Sequence, residues 1–248
     1  MPSKSERIAD DLRSEINGGV YPKHMPSEPE LIERYGVSRG TVRAAMAALA
    51  SEGLVIVEPG RGWSVRRYDP LVWEPDKFEH LGHRRDTTEA GHDAWQAEAA
   101  AQQRTPGQQV ELAIVKASPL IAERLNVSEG ESVVVRKRLR LVDSVPYQTA
   151  DSYYPMDVAQ GTPIMDPGDV IIPGGLMTAA GHRQVRFTDE ISIRMPSKEE
   201  TARLSLPAMT PVAEHVRTGF NEAGRPVRTI ITILPGDRHK IVYYVGAE

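Results

Sequence analysis

The first part of the chain takes its fold from residues 35–54, which read YGVSRGTVRAAMAALASEGL. Ser38 precedes a series of apolar residues at helical spacing, and Gly53 ends the series. The apolar positions are Val42, Ala45, Met46 and Leu49. This pattern predicts an amphipathic helix with Ser38 as its N-cap. Arg39 and Arg43 lie one turn apart and off the apolar stripe, so we expect both guanidinium groups to face outward.

The sequence on either side of this helix predicts two more helices and a hairpin. Apolar residues spaced by four follow Ser5 and predict a first helix. Ser27 and Glu30 form a capping box, which predicts a second, short helix that stops at Gly36. Two apolar runs flank the glycine-rich turn at residues 58–62 and predict a β-hairpin. Three helices followed by a hairpin are typical of a winged helix-turn-helix.

The rest of the chain carries one pattern twice. The copies begin at Ser118 and Ser197, and each gives a serine-capped helix, a strand, a turn and a returning strand. We therefore expect an α+β fold, with an N-terminal winged helix-turn-helix and a C-terminal, mainly antiparallel sheet that carries helices. The expected domains are residues 1–67 and 85–248, joined by a linker over residues 68–84.

Composition excludes several classes of protein. The 248 residues include no cysteine, which excludes disulfides, thiolate metal sites and cysteine nucleophiles. The net charge is −4, yet residues 34–43 contain three arginines and no acid. A surface that binds a polyanion such as DNA is therefore expected only on this short stretch. No run of about 18 apolar residues occurs, and the chain opens into a charged helix. We expect a cytoplasmic protein that is not embedded in a membrane.

Further motifs identify the first 66 residues with a known family. They are Pro26-Ser27-Glu28, residues 35–43, residues 49–54 and Gly60-Arg61-Gly62. In this order they resemble the winged helix-turn-helix of GntR-family bacterial transcription regulators. From about residue 85 to 245 the chain resembles the UTRA effector domain of the HutC-like branch. The pieces that carry this second resemblance are residues 138–141, 145–155, 190–196, 224–227 and 236–238.

The resemblance implies a bacterial, usually homodimeric repressor, nucleoid-associated when it is bound to a palindromic operator. A small intracellular metabolite releases such repressors or re-tunes them. UTRA domains are similar in fold to chorismate lyase, so an enzyme fused to a DNA-binding module is one alternative. A constitutive DNA-binding dimer without an effector is another. No Gly-rich phosphate loop or Gly-x-Ser-x-Gly elbow is present, and we expect no enzyme, no cofactor and no metal site. His80, His83 and His92 lie in polar sequence without the spacing of a metal site.

The DNA-binding candidates follow from the chemistry of the major groove. An arginine that donates two hydrogen bonds to guanine O6 and N7 favours guanine over the wrong base by roughly 1–3 kcal/mol. The N-terminus of a helix can bind a phosphate oxygen. An arginine at the tip of the wing can reach the minor groove or a phosphate. The candidates are Ser27, Ser38, Arg39, Gly40, Thr41, Arg43, Arg61 and Gly62. The chain departs from many relatives at Pro29, where they carry an arginine, and at Trp63. Trp63 is either a hydrophobic plug beneath the wing or a stacking surface at the DNA, and we expect the plug.

The effector candidates follow from strand alternation. One face of a strand carries Val133, Val135, Leu139 and Leu141, and the other carries Arg136, Arg138 and Arg140. Three guanidinium groups on one face favour an anionic ligand. Gln148, Asp151 and Tyr153 are polar candidates on the next strand, whereas Glu190 and Arg194 either line the pocket or form a surface ion pair.

The resemblance also bears on the identity of the ligand. In relatives that bind amino-sugar phosphates, arginines aligned with Arg138 and Arg140 hold the phosphate. The sugar-reading positions of those relatives hold Ala150, Arg228 and Leu234 in this chain. An anionic effector other than an amino-sugar phosphate is therefore expected.

Overall fold

A computed structural model gives the architecture of the protein. It describes residues 2–58, 62–66, 70–76, 94–172, 174–207 and 209–244. The chain divides into two compact units, Met1–Asp69 with Leu206–Thr210, and Pro70–Ser205 with Pro211–Glu248. Each unit has its own core, and each is described by itself.

The first unit contains three helices and a two-stranded antiparallel sheet. The elements are α1 (Lys4–Asn17), α2 (Glu28–Tyr35), α3 (Arg39–Ser51), β1 (Val55–Glu58) and β2 (Gly62–Val65). Ser3 caps α1 and forms a capping box with Glu6. Gly36 ends α2 with a φ of 59°, a left-handed conformation that glycine adopts without strain.

The core of this unit confirms the apolar stripe of α3. Val42, Ala45, Met46 and Leu49 are all fully buried. They pack with Leu12 of α1 and Leu31 of α2. Trp63 is half-buried and packs against the same core, as expected of a plug beneath the wing. The packed side of α3 thus fixes which of its residues remain outside.

The second unit is built on a six-stranded sheet with strand order β4-β5-β6-β9-β8-β7, antiparallel in every pairing. Its strands are β4 (Pro106–Lys116), β5 (Ser132–Val142), β6 (Val145–Pro155), β7 (Gln184–Arg194), β8 (Val212–Asn221) and β9 (Pro226–Pro235). Two short strands, β3 (Leu71–Trp73) and β10 (His239–Ile241), pair in parallel beside it. The expected α+β fold is confirmed, although β3 lies inside the expected linker, because its apolar residues Leu71 and Trp73 are buried in the core of this unit.

Five α-helices accompany the sheet within the described residues. They are α4 (Ala94–Ala101), α5 (Pro119–Leu125), α6 (Met156–Ala159), α7 (Leu176–Ala179) and α8 (Lys198–Arg203), with a 3-10 turn at Pro163–Met165. Ser118 caps α5 and Ser197 caps α8, so both copies of the sequence pattern form a capped helix followed by an antiparallel strand pair. None of the described helices has the length and apolarity needed to cross a bilayer.

The two faces of the sheet bury different side chains. Val133 of β5 packs with α5 on one face, together with Tyr153 of β6 and Ile231 of β9. Val134 and Tyr154, which are register partners, pack on the other face with α6 and α7. Because side chains alternate along a strand, this assignment fixes the face of the neighbouring polar residues. We call the two faces the α5 face and the Tyr154 face.

Candidate functional site

The N-terminus of α3 is exposed and is capped by the hydroxyl of Ser38. Ser38 accepts a hydrogen bond from the backbone N–H of Thr41 at 3.3 Å, and the two hydroxyls lie 3.0 Å apart. The first turn of the helix contains no acidic residue. Gly40 has no side chain, which keeps the surface low between Ser38 and Arg43. This end of α3 can therefore approach a phosphate through its free N–H groups.

Arg39 and Arg43 project from α3 and share one carboxylate. Arg39 Nε donates to Glu28 Oε2 at 2.8 Å, and Arg43 Nε donates to Glu28 Oε1 at 3.0 Å. The arginine side chains are 69% and 63% exposed, whereas that of Glu28 is 18% exposed. The hydrogen bonds from Arg39 and then Arg43 hold the pKa of Glu28 below its usual value. The sequence showed no acid near these arginines on α3, because the acid comes from α2.

The remaining DNA-binding candidates take other positions. Ser27 Oγ donates to Glu30 Oε2 at 2.7 Å within the capping box, so its hydroxyl serves α2 itself. Gly62 opens β2 with a φ of 86°, a conformation that glycine adopts without strain. Arg61 lies outside the described residues, as do His80, His83 and His92.

Arg136 has a structural role that the sequence did not predict. It is fully buried, and its guanidinium donates to the carbonyls of Ile164 at 3.0 Å and Gly168 at 2.6 Å, and also to that of Asp166. Burial, followed by repulsion from Arg138, lowers its pKa. Because two of its nitrogens are engaged by carbonyls, Arg136 holds the segment after α6 and is not available as a primary contact for an effector.

Arg138, by contrast, lies beside a small polar cluster on the Tyr154 face. Its Nη1 is 3.3 Å from Ser152 Oγ, and Arg228 Nη2 approaches the same oxygen at 3.5 Å. Within the described part of the chain, no carboxylate lies within 4.0 Å of the Arg138 guanidinium. Burial opposes ionisation of Tyr154, but Arg228, Arg138 and Arg136 together hold its pKa below the usual value. Three guanidinium groups therefore act on Tyr154 at this point of the face.

Two more candidates share this face. Arg140 Nε donates to Gln108 Oε1 at 3.3 Å, and its guanidinium carbon lies 5.1 Å from the ring of Trp95. Gln148 is fully buried, and its Oε1, an acceptor, lies 3.2 Å from His239 Nε2. Arg140 and Gln148 are register partners, which places both on the side of Ser152.

Four candidates lie on the α5 face, on the other side of the sheet from Arg138, Arg140 and Gln148. Asp151 accepts from Arg203 at 2.8 and 3.1 Å, and Tyr153 packs against the α5 cluster. Glu190 accepts from Arg124 of α5 at 2.7 Å. Arg194 pairs with Glu200 and Glu214. The reason is the two-residue period of a strand, which puts Asp151 and Tyr153 opposite Gln148 and Ser152. For Glu190 and Arg194, the ion-pair alternative describes the structure.

Comparisons with known proteins identify the family of the chain. The UTRA domain profile matches residues 101–240, and the profile of the bacterial regulatory proteins of the gntR family matches residues 4–65. An uncharacterized HTH-type transcriptional regulator of Streptomyces coelicolor is 33% identical over 245 residues, which is 95% of this chain and 90% of the relative. The chain belongs to the GntR family. This GntR protein is a transcriptional regulator with a UTRA domain.

Two further relatives support the assignment over the whole length. The repressor NagR of Bacillus subtilis is 23% identical over 249 residues, covering 96% of this chain and 93% of that protein. A crystal structure of a GntR-family transcriptional regulator superposes with a TM-score of 0.60 at 26% identity, covering 99% of this chain and 98% of that one. The similarity thus spans both the helix-turn-helix part and the UTRA part of this chain.

The sequence missed several polar residues of this GntR regulator on the Tyr154 face. Asp189 of β7 accepts from Arg217 Nε and Nη2, both at 2.6 Å, and lies 2.9 Å from His215 Nε2. Burial would raise the pKa of Asp189, yet Arg217 and His215 hold it well below its usual range. Register pairing of Asp189, Arg217, Ile230 and Ser152 puts this cluster on the face of Arg138. Strand alternation would have found these residues once the strand order was known.

Proposed function

We propose that this regulator is a homodimeric repressor of a palindromic operator, released by a small anionic metabolite that binds the Tyr154 face of its UTRA domain. The observation that carries the effector assignment is the convergence of Arg138 and Arg228 on Ser152 Oγ, at 3.3 and 3.5 Å. Three guanidinium groups already depress the pKa of the neighbouring Tyr154. A phosphate or carboxylate would accept hydrogen bonds from this cluster and balance its charge.

The DNA-reading side of the proposal rests on α3. Arg39 and Arg43 carry their exposed guanidinium ends outward from a helix whose other side is fully buried. Such a helix fits the major groove, where each arginine can fork onto a guanine. Ser38, Gly40 and Thr41 form the end of the helix that would meet a phosphate. Arg61 and Gly62 of the wing remain proposed contacts to the DNA minor groove or to a phosphate.

The dimer is supported by the edge of the sheet at β7. Three large apolar side chains are exposed there, Ile191, Ile193 and Met195, with exposed fractions of 41%, 71% and 54%. Ile193 borders an apolar cavity of about 260 Å³ that is also lined by Leu234 and Ile241. An edge strand with one open side and exposed apolar side chains is a pairing surface, and a second copy would bury those side chains. A palindromic operator requires two copies of α3 about 34 Å apart.

The repressor assignment draws on NagR, which is named a transcriptional repressor. We propose that effector binding shifts the dimer towards states whose half-site spacing does not match the operator. A coupling of about 1–3 kcal/mol would change operator occupancy several-fold. An enzyme is not favoured, because Asp189, a carboxylate on the effector face, is kept ionised by Arg217 and His215 and is a poor proton donor.

A ligand screen tests the effector assignment. The melting temperature of the full chain is measured with phosphorylated metabolites, carboxylated metabolites and their neutral counterparts. The proposal predicts that only anions raise the melting temperature. At 100 times its dissociation constant, an effector should raise the free energy of unfolding by about 2.7 kcal/mol. The same compounds should weaken DNA binding in a gel-shift assay. Stabilisation by neutral compounds alone would contradict the proposal.

A further inference from the structure

Glu28 occupies an unusual place for an acid, since it lies beside the two arginines proposed to read DNA. One carboxylate oxygen accepts from Arg39 Nε and the other from Arg43 Nε, at 2.8 and 3.0 Å. Each guanidinium has five N–H donors, and each gives only its Nε–H to Glu28. The two terminal nitrogens of each arginine therefore stay available on the exposed side.

The position of Glu28 is fixed by its own helix. It is the first residue of α2, directly after the N-cap Ser27, and the capping box of Ser27 with Glu30 holds this turn. Its side chain is largely covered, while the arginines it contacts are largely exposed. The carboxylate is thus a rigid point to which two flexible side chains of another helix are attached.

We propose that Glu28 is the positioning residue for base reading, and that it sets the sequence specificity of this regulator rather than its affinity for DNA in general. The inference rests on the proposed role of Arg39 and Arg43. An acid near the DNA surface weakens attraction to phosphates, which carry no sequence information. The same acid holds the Nε edge of two planar forks, and a fork must be oriented to read guanine O6 and N7.

Without Glu28, each arginine can rotate onto the nearest phosphate. General binding should then persist or strengthen, because one negative charge is removed, while discrimination between sequences declines. This combination separates positioning from two simpler roles. A merely structural acid would weaken both kinds of binding together. An inhibitory acid that blocks the arginines would make specific binding tighter when it is removed.

The test compares specific and non-specific binding by the full-length chain. The specific probe is the duplex that the wild-type chain enriches from a random-sequence library, and the non-specific probe is a scrambled duplex of the same composition. Dissociation constants are measured on both for wild type, Glu28→Gln and Glu28→Asp. Glu28→Gln removes the charge, whereas Glu28→Asp keeps it and shortens the reach. Glu33→Gln is the matched control, since it removes an exposed acid from the same helix.

We expect both Glu28 variants to lower the ratio of specific to non-specific affinity by about tenfold or more, the discrimination of one arginine–guanine pair. Non-specific binding should stay within about threefold of wild type, which also shows that α2 and α3 remain folded. Glu33→Gln should leave the ratio unchanged. A ratio that changes less than twofold in Glu28→Gln, a parallel loss on both probes, or tighter specific binding overturns the inference alone. Failure of the wild type to enrich any sequence overturns the proposed function with it.

Discussion

Arg138 Nη1 of β5 lies 3.3 Å from Ser152 Oγ of the neighbouring strand β6. Among the described residues, no carboxylate lies within 4.0 Å of the Arg138 guanidinium. The Ser152 hydroxyl that Arg138 contacts also lies 3.5 Å from Arg228 Nη2. A cationic pair around one small polar group is the arrangement that an anion completes. The effector assignment therefore depends on Arg138 more than on any other residue.

Replacement of Arg138 tests this assignment. In Arg138→Ala, an anionic effector found by the thermal screen should lose most of its stabilising effect, while DNA binding without effector should match wild type. The control is Lys137→Ala, which removes a neighbouring cation that strand alternation directs to the α5 face. Equal responses of the two variants to the effector would contradict the assignment.

Replacement of Arg136 should instead lower stability. Arg136→Met leaves the carbonyls of Ile164, Asp166 and Gly168 without their donor. The carbonyl of Ile164 is buried, whereas Asp166 and Gly168 are exposed residues whose carbonyls can meet water. Because a buried carbonyl without a partner costs about 1–3 kcal/mol, we expect the free energy of unfolding to fall by roughly 2 kcal/mol. Urea denaturation measures this change, and a loss below about 1 kcal/mol would contradict the structural role.

The ion cluster at Asp189 gives a dependence of stability on pH. Its pKa is lower in the folded chain than in the unfolded chain, so its contribution is complete above about pH 4 and declines as the pH falls further. Asp189→Asn should lower the free energy of unfolding at pH 7, by roughly 2 kcal/mol. The difference from wild type should shrink between pH 4 and pH 3 in urea unfolding. A difference that is constant over this range would show that the carboxylate charge is not the cause.

The edge strand β7 provides a test of the proposed dimer. Ile193 is 71% exposed on this strand, and Ile193→Glu places a charge on the surface that a second copy would cover. We expect a monomer in analytical ultracentrifugation and weaker binding to a palindromic duplex. Lys198→Glu on α8 is the control for a change of surface charge. A dimer as stable as wild type in Ile193→Glu would place the interface elsewhere.

Part of this architecture follows from sequence because it depends on local periodicity. The stripe from Val42 to Leu49 fixes the buried side of α3, and the serine caps at positions 118 and 197 mark the two copies of the repeat. Alternation along β5 likewise puts Arg138 and Arg140 on one face. Each of these signals lies within a single element, so the sequence contains all of it.

The rest depends on how separate elements meet. The contact of Glu28 with Arg39 and Arg43 requires the packing of α2 on α3, which no spacing in the sequence reports. The carbonyls that hold Arg136 come from a segment about 30 residues away. Asp151 differs, because it lies three residues after Gln148 on the same strand, and an odd spacing puts two side chains on opposite faces. Strand alternation could therefore have assigned Asp151 to the opposite face from the sequence alone.

The most direct test of the account is whether the arginines of α3 read DNA sequence. Full-length wild-type chain, Arg39→Ala and Arg43→Ala are each used to select duplexes from a random-sequence library, followed by measurement of specific and non-specific affinity. The account predicts that wild type enriches an inverted repeat with half-sites about one helical turn apart. Each variant should bind this repeat about tenfold or more weakly, with little change on scrambled DNA and none in dimerisation. Enrichment of no sequence by the wild type, or equal affinity of the variants for the enriched repeat, would contradict it.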